Sequence, residues 1–334
     1  MIPVVVVTGF LGSGKTTLIS QVLRNPAFAR TAVIVNEFGE VGLDHELIAT
    51  ADESVMTLTT GCLCCAVQSD LVRTLLDLER RRDAGEIPGY DRVLIETSGL
   101  ADPAPILQSL MSDAGLVHGH AVQSVITLVD AVHGVASLGR HVEARRQVAL
   151  TDRLVLTKTD VAAPTPTLLA LLASTNPGAE VLTAVSGRIA PEILFAPTES
   201  GARADRLAAL PAARGSPFAR GEHGAAIENF VLERDRPIPG LALLLLLESL
   251  AEHCGPRILR VKGLVQLTEM VDQPALIHGV QHIFAAPEFL PRWPSEDHRT
   301  RIVFIVQGVP RHFPARLLAA IEEEVLEELE RNTE

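Results

Sequence analysis

Four consecutive valines, Val4 to Val7, run into Gly9-Phe10-Leu11-Gly12-Ser13-Gly14-Lys15-Thr16-Thr17, and a helical apolar pattern (Leu18, Ile19, Val22, Leu23) starts directly behind it. Strand, glycine loop and helix in that order fit few folds, and Gly9, Gly14, Lys15 and Thr16 have the spacing of a phosphate-binding loop. Each residue type has a reason to be there. Glycines let backbone N–H groups close around a phosphate, because a Cβ would block the approach. The helix N-terminus behind them carries a partial positive charge. Lys15 can reach the β- and γ-phosphates, and the Thr16 hydroxyl can ligate Mg²⁺.

Only three of the 29 basic side chains are lysines: Lys15, Lys158 and Lys262. A site that needs a compact ammonium resists replacement by the planar arginine fork. Lys15 lies in the phosphate loop, and Lys158 lies in a second motif, Thr157-Lys158-Thr159-Asp160, at the end of the apolar run Leu154 to Leu156.

A chain of 334 residues exceeds the length, about 250–300 residues, at which single cores stop growing, so two domains are expected. Alternating β-branched runs and helical patterns over the first part predict an α/β fold, a doubly wound, mostly parallel sheet. Its strands are read at Val4–Val7, Ala32–Asn36, Val93–Glu96, Ser124–Val129, Leu154–Thr157 and Glu180–Thr183, with Leu47–Ala49 and Val55–Leu58 as an antiparallel extension. Helices are clearest at Asp70–Arg82 and Thr167–Ser174. Residues 1–195 are read as this domain and 196–222, rich in Pro, Ala, Gly and Arg, as a linker. Residues 223–334 are read as a second, smaller α+β domain: strand Ala226–Glu233, helix Leu241–Cys254, strands Ile258–Leu267, Ala275–Phe284 and Arg301–Gln307, and helix Ala315–Arg331.

A net charge of −12 argues against nucleic acid as a partner, which needs a basic face. The greasiest run, Leu241 to Leu247, is far short of the ~20 residues of a membrane span, so no membrane partner is expected and the run reads as a buried helix. With no targeting segment visible, the expected location is cytoplasmic, where clustered cysteines read as metal-binding or catalytic more readily than as disulfides.

Chemistry concentrates at strand ends. Glu96-Thr97-Ser98-Gly99 closes a strand, where Glu96 can hold the Mg²⁺ water shell and Gly99 leaves room for its N–H to face a γ-phosphate. Thr157-Lys158-Thr159-Asp160 resembles the guanine-reading motif of GTPases, with Thr157 in the place of the usual Asn. Asp160 would accept from the guanine N1–H and exocyclic amine; adenine offers a lone pair there and is rejected. The Lys158 stem would stack on the base, and Ser186, after the next strand, would close over it. Gly61-Cys62-Leu63-Cys64-Cys65 holds three of the four cysteines. Thiolates suit Zn²⁺, and three of them leave one position open for exchange; vicinal redox chemistry and simple packing are the alternatives. Cys254 reads as core packing. Glu37 and Asp44, in the loop Asn36 to Asp44, could lie near Mg²⁺ or near the cysteine metal. His118 and His120 read as solvated loop histidines, and the glutamates of the last helix as a solvated face.

Taken in order, the phosphate loop, Asn36-Glu37-Phe38-Gly39, Gly61-Cys62-Leu63-Cys64-Cys65, Glu96-Thr97-Ser98-Gly99 and Thr157-Lys158-Thr159-Asp160 resemble the CobW-like family of metal-homeostasis GTPases over the whole chain. Arg260-Val261-Lys262-Gly263 and the Trp293-to-Arg301 region are similar to that family's C-terminal domain. The resemblance implies GTP or GDP with Mg²⁺ at Gly9, Gly12, Ser13, Gly14, Lys15, Thr16 and Thr17, with Thr157, Lys158, Asp160 and Ser186 at the base. Lys15, Glu96 and Gly99 are the expected catalytic residues. It further implies Zn²⁺ or Co²⁺ at Cys62, Cys64 and Cys65, and delivery to a client metalloprotein, with a nucleotide-dependent homodimer as a further expectation. A metal-sensing or buffering module, an activator of one metalloenzyme and a cobalamin-pathway cobalt carrier fit the same residues. A small-molecule kinase fits them least, because of Asp160.

Overall fold

The computed structural model describes residues 1–36, 57–59, 66–190, 192, 196, 206 and 226–331. They divide into two compact units, Met1–Ala173 with Ala179–Pro197, and Ser174–Gly178 with Thr198–Glu334.

In the first unit seven strands form one sheet: β1 Ile2–Gly9, β2 Thr31–Asn36, β3 Thr57–Thr59, β4 Arg92–Thr97, β5 His120–Asp130, β6 Arg153–Thr157 and β7 Glu180–Thr183. The order is β3-β2-β4-β1-β5-β6-β7 and every pairing is parallel. Helices α1 Lys15–Leu23, α2 Ala66–Asp83, α3 Ala104–Ser112, α4 Gly134–Arg140, α5 Val142–Leu150 and α6 Pro166–Thr175 fill the crossovers. Strands buried on both faces need unbroken apolar runs rather than alternation. That is why Val4 to Val7 are sealed from solvent. Successive strands are laid down on one side of β1 and then on the other. This reversal opens a crevice beyond the carboxyl ends, where such sheets bind ligands.

β3 corrects the expected antiparallel extension. It runs parallel to β2, pairing Val33 with Thr57, Ile34 with Leu58 and Val35 with Thr59. The connection from Asn36 to Thr57 is long enough for the crossover that a parallel pair requires. Leu47–Ala49 lies outside the described residues. His120 is a second correction: it opens β5 opposite Ile2 and is 2% exposed, not solvated.

The second unit is an antiparallel sheet of β8 Ile227–Arg234, β9 Ile258–Leu267, β10 Met270–Val280, β11 Ile283–Phe284 and β13 Thr300–Gln307 in the order β11-β10-β9-β13-β8, with β12 Glu288–Phe289 pairing β10. The strand expected at Ala275–Phe284 is divided, because Gln281 adopts φ +53° and folds β11 back on β10. α7 Gly240–Cys254 and α8 Phe313–Arg331 complete the unit. Phe230, Leu246, Val261, Phe304 and Leu318 lie in its core, with Cys254 among them as the packing reading expects. α7 is one-sided: Leu243, Leu246, Leu247 and Leu250 are buried while Leu241, Leu244 and Leu245 are exposed. Among the described residues no helix is long and apolar enough to cross a membrane. On α8, Glu322 is drawn to Arg234 at 3.1 Å.

Candidate functional site

β1 delivers the glycine loop to the crevice. At Gly9, φ +148°, a Cβ would fall 2.6 Å from both the Leu128 carbonyl oxygen and Ser13 Oγ, so only glycine fits. Gly12 and Gly14 sit at φ +72° and +92°, in the left-handed region that glycine enters without strain. A Cβ at Gly12 would meet nothing within 4 Å, so that glycine borders open space. Lys15 Nζ donates to the Gly9 carbonyl at 2.8 Å and to that of Phe10 at 3.5 Å, spanning the loop. The Leu18 N–H donates to the Gly14 carbonyl; the first-turn N–H groups ahead of it have no carbonyl within the helix. Backbone donors, a helix N-terminus and an ammonium therefore converge, which is the donor set a phosphate chain requires.

Beside the loop, Thr16 Oγ1 donates to Glu96 Oε1 at 3.2 Å. The pairing of Val7 with Glu96 brings the tips of β1 and β4 level, and Glu96 is 2% exposed. A hydroxyl and a buried carboxylate side by side are hard oxygen ligands of the kind Mg²⁺ takes together with phosphates. Gly99 follows one turn later. Its Cβ would lie 2.7 Å from Leu11 Cδ2 and 2.9 Å from the Leu11 backbone nitrogen, so the turn rests directly on the phosphate loop.

On the far side of the loop, Thr157 Oγ1 donates to the Ser13 carbonyl at 2.7 Å. One hydroxyl thus ties β6 to the loop where the usual motif has Asn. Lys158 has φ +56° and Ser186 has φ +50°, backbone conformations that non-glycine residues adopt at a cost of order 1–3 kcal/mol and that cluster at functional sites. Asp160 Oδ1 accepts from the Ser186 N–H and Oδ2 from the Ser186 hydroxyl, each at 3.2 Å. Its own N–H and then these two bonds hold its carboxyl below the ordinary range, so it stays an acceptor. Lys158 Nζ pairs with Asp130 Oδ2 at 2.7 Å, and Asp130 Oδ1 accepts from the N–H groups of Val132 and His133. Burial pushes Asp130 up, but the Lys158 ammonium and the two N–H groups outweigh it and the carboxyl lies below its usual range.

Gly9, Gly12, Ser13, Gly14, Lys15, Thr16, Thr17, Glu96, Gly99, Thr157, Lys158, Asp160 and Ser186 all belong to the loops, the strand tips and the first turn of α1 at this one edge. Glu37, Asp44, Cys62, Cys64 and Cys65 lie outside the described residues. Among the described residues no cluster of three metal-binding side chains occurs. Three further members carry no sequence motif: Asp130, the Arg146–Asp102 ion pair at 2.8 Å, and Gln147, which donates to the carbonyls of Gly99 and Ala101. An acid at the tip of β5 was the one available signal.

The chain matches the CobW/HypB/UreG nucleotide-binding domain over residues 3–183 and the C-terminal domain of the cobalamin synthesis protein CobW over residues 227–322. It belongs to the CobW family. The CobW chain is 36% identical over 309 residues to the zinc chaperone YjiA of Escherichia coli (strain K12), covering 92% of this chain and 95% of that protein. The crystal structure of Zn(II)-bound YjiA GTPase from E. coli superposes with a TM-score of 0.73 at 30% identity, over 96% of this chain and 98% of that one. The zinc-regulated GTPase metalloprotein activator 1 of Saccharomyces cerevisiae is 32% identical over 190 residues, 50% of this chain and 43% of that protein. As a CobW protein, the chain carries a P-loop nucleotide-binding domain of the GTPase type.

Proposed function

We propose that this CobW protein is a GTP-hydrolysing zinc metallochaperone of the cytosol, which loads Zn²⁺ at Cys62, Cys64 and Cys65 and hands it to a client metalloprotein. Co²⁺ is the alternative cargo, since the same soft thiolates accept it. The reading rests on one observation above the others: Thr16 and Glu96 meet at 3.2 Å beneath a glycine loop that Lys15 spans. GTP is the substrate. Lys15 and the α1 N-terminus bind its β- and γ-phosphates, and Asp160, held by Ser186, accepts from the guanine edge. Thr16 and Glu96 would hold Mg²⁺, which supplies charge neutralisation between the phosphates when bound. Gly99, whose turn rests on Leu11 of the glycine loop, would offer its N–H to the γ-phosphate.

Cargo handling follows from position. β2 ends at Asn36 on the nucleotide edge and α2 begins at Ala66, so Glu37 to Asp44 and then Cys62 to Cys65 follow one another along the chain between these two elements. A γ-phosphate that orders the first alters the second, and hydrolysis reverses it. We place the working boundaries at residues 1–195 and 223–334, with 196–222 as a linker. The relation to YjiA, named a zinc chaperone, supports Zn²⁺ as the cargo.

The experiment measures Zn²⁺ affinity with GDP and with a non-hydrolysable GTP analogue, in the wild-type chain and in a triple Cys62→Ser, Cys64→Ser, Cys65→Ser variant. The expected result is a nucleotide-dependent affinity that the triple variant loses; linkage then requires Zn²⁺ to change GTP affinity by the same factor. Equal Zn²⁺ affinity in both nucleotide states would overturn the mechanism. Full metal content in the triple variant would move the site elsewhere.

A further inference from the structure

Helix α5 packs behind the Ser98–Asp102 turn, and one of its side chains is there for a reason that packing does not explain. Gln147 is 0% exposed. Its Nε2 donates to the Gly99 carbonyl at 3.1 Å and to the Ala101 carbonyl at 3.0 Å. Two carbonyls in front of it fix which end of the amide is the nitrogen. The neighbouring Arg146 grips Asp102 at 2.8 Å, and the Thr127 hydroxyl donates to the Gln147 carbonyl. Inside the turn the Ala101 N–H donates to the Ser98 carbonyl at 3.0 Å.

These bonds determine the aim of one N–H group. Peptide units are planar. The Ser98 carbonyl, held by Ala101, lies in the same plane as the Gly99 N–H. The Gly99 carbonyl, held by Gln147, fixes the next plane. Gly99 alone, with no side chain, could turn freely at little cost; between two held planes it cannot.

Gln147 also lines a cavity of about 220 Å³ beside Phe10 to Ser13. Its Oε1 and Ser13 Oγ are both buried, and neither finds a hydrogen-bond partner among the described residues. A buried amide oxygen without a donor has lost its water and gained nothing in return. An apolar residue of the same shape would avoid that cost, so the amide is kept for its two N–H bonds.

We infer that Gln147 is a positioning residue for nucleotide hydrolysis, whose side-chain amide holds the Gly99–Ala101 turn in the orientation that meets a γ-phosphate. The inference rests on the reading that Gly99 lies at the γ-phosphate. Gln147 touches no nucleotide itself; it acts through the backbone of the turn. Its removal therefore lowers triphosphate affinity and the hydrolysis rate and spares the diphosphate complex.

The test is Gln147→Met, which keeps the volume and removes both donors. Binding of GDP and of a non-hydrolysable GTP analogue, and single-turnover hydrolysis, are measured on the full chain. Expected are GDP affinity within about twofold of wild type and analogue affinity and turnover each lower by about tenfold, the scale of one or two neutral hydrogen bonds. A uniform loss across GDP, analogue and thermal stability would mean that Gln147 only packs, and would overturn the inference. Should the variant not fold, the wild-type protein answers through the Gln147 side-chain amide resonance: it is expected to differ between GDP and analogue complexes, and identical spectra overturn the inference. Lys15→Ala in the same assay separates the two levels. If that variant still hydrolyses GTP, the nucleotide reading itself fails. If it does not, and Gln147→Met keeps the wild-type ratio of analogue to GDP affinity, only the role of Gln147 falls.

Discussion

Lys158 Nζ lies 2.7 Å from Asp130 Oδ2, while the other oxygen of that carboxylate caps the N–H groups of Val132 and His133. A single acid therefore sets both Lys158 and the turn after β5. Asp130→Asn retains the cap and removes the charge that anchors Lys158. The lysine side chain is more than a third exposed, so screening discounts the effect. GDP affinity is expected to fall by about threefold to tenfold, with the fold intact. Calorimetric titration checks this, and an unchanged affinity would show that the ion pair has no part in binding.

Thr157→Val removes the hydroxyl that donates to the Ser13 carbonyl and keeps the shape. The lost bond is worth about 1 kcal/mol, or roughly 2–4 °C in melting temperature for a unit of this size. Thr157→Asn restores a donor and is expected to melt closer to wild type. Thermal unfolding with and without GDP compares them; a valine variant that melts with the wild type would refute the tie.

Glu96→Gln keeps a hydrogen-bond acceptor for Thr16 and loses the charge. The Mg²⁺ concentration needed for half-maximal GTP hydrolysis is expected to rise by about tenfold or more, on the scale of a lost charge-assisted contact. GDP binding measured without Mg²⁺ is expected to stay put. Equal Mg²⁺ dependence in both proteins would remove Glu96 from the metal site.

His120 predicts a pH dependence. Burial pushes its imidazole below the ordinary value of about 6.5, against the Glu79 carboxylate, which raises it, and with Arg82 and the N-terminal amino group, which lower it further. In the window between the lowered folded value and the unfolded one, the unfolded chain binds the extra proton. Stability therefore rises with pH across that window and is lost as the solution is acidified through it. His120→Leu is expected to flatten the slope by at most about 1.4 kcal/mol per pH unit. Denaturant unfolding at a series of pH values between 5 and 7.5 reads it; parallel curves for both proteins would exclude His120.

Much of this edge was legible because strand, glycine loop and helix are short-range signals. Gly9 to Thr17, Glu96 and Thr157 to Asp160 all sit at the ends of β-branched runs, and a parallel sheet brings such ends together. The direction of β3 was not legible, since it depends on the crossover after Asn36 and not on local pattern. His120 misled for a related reason: two histidines around a glycine look like a loop, yet the second pairs with Ile2 in β5. Gln147 was invisible because an amide on a helix has no motif. Its meaning appears only when Gly99 and Ala101 are found in front of it.

β1 precedes both of its neighbours along the chain. Its two neighbours, β4 and β5, are synthesised only after residues 92 and 120. At about 5–20 residues per second the ribosome needs several seconds to provide them. During that interval Val4 to Val7 form an uncovered apolar strand with both edges open, the kind of segment that chaperones hold and that aggregates when they do not. The strand that leads into the glycine loop thus stays open on both edges until residues 92–97 and 120–130 have been made, and the loop cannot take its final geometry before that strand has been walled in from both sides.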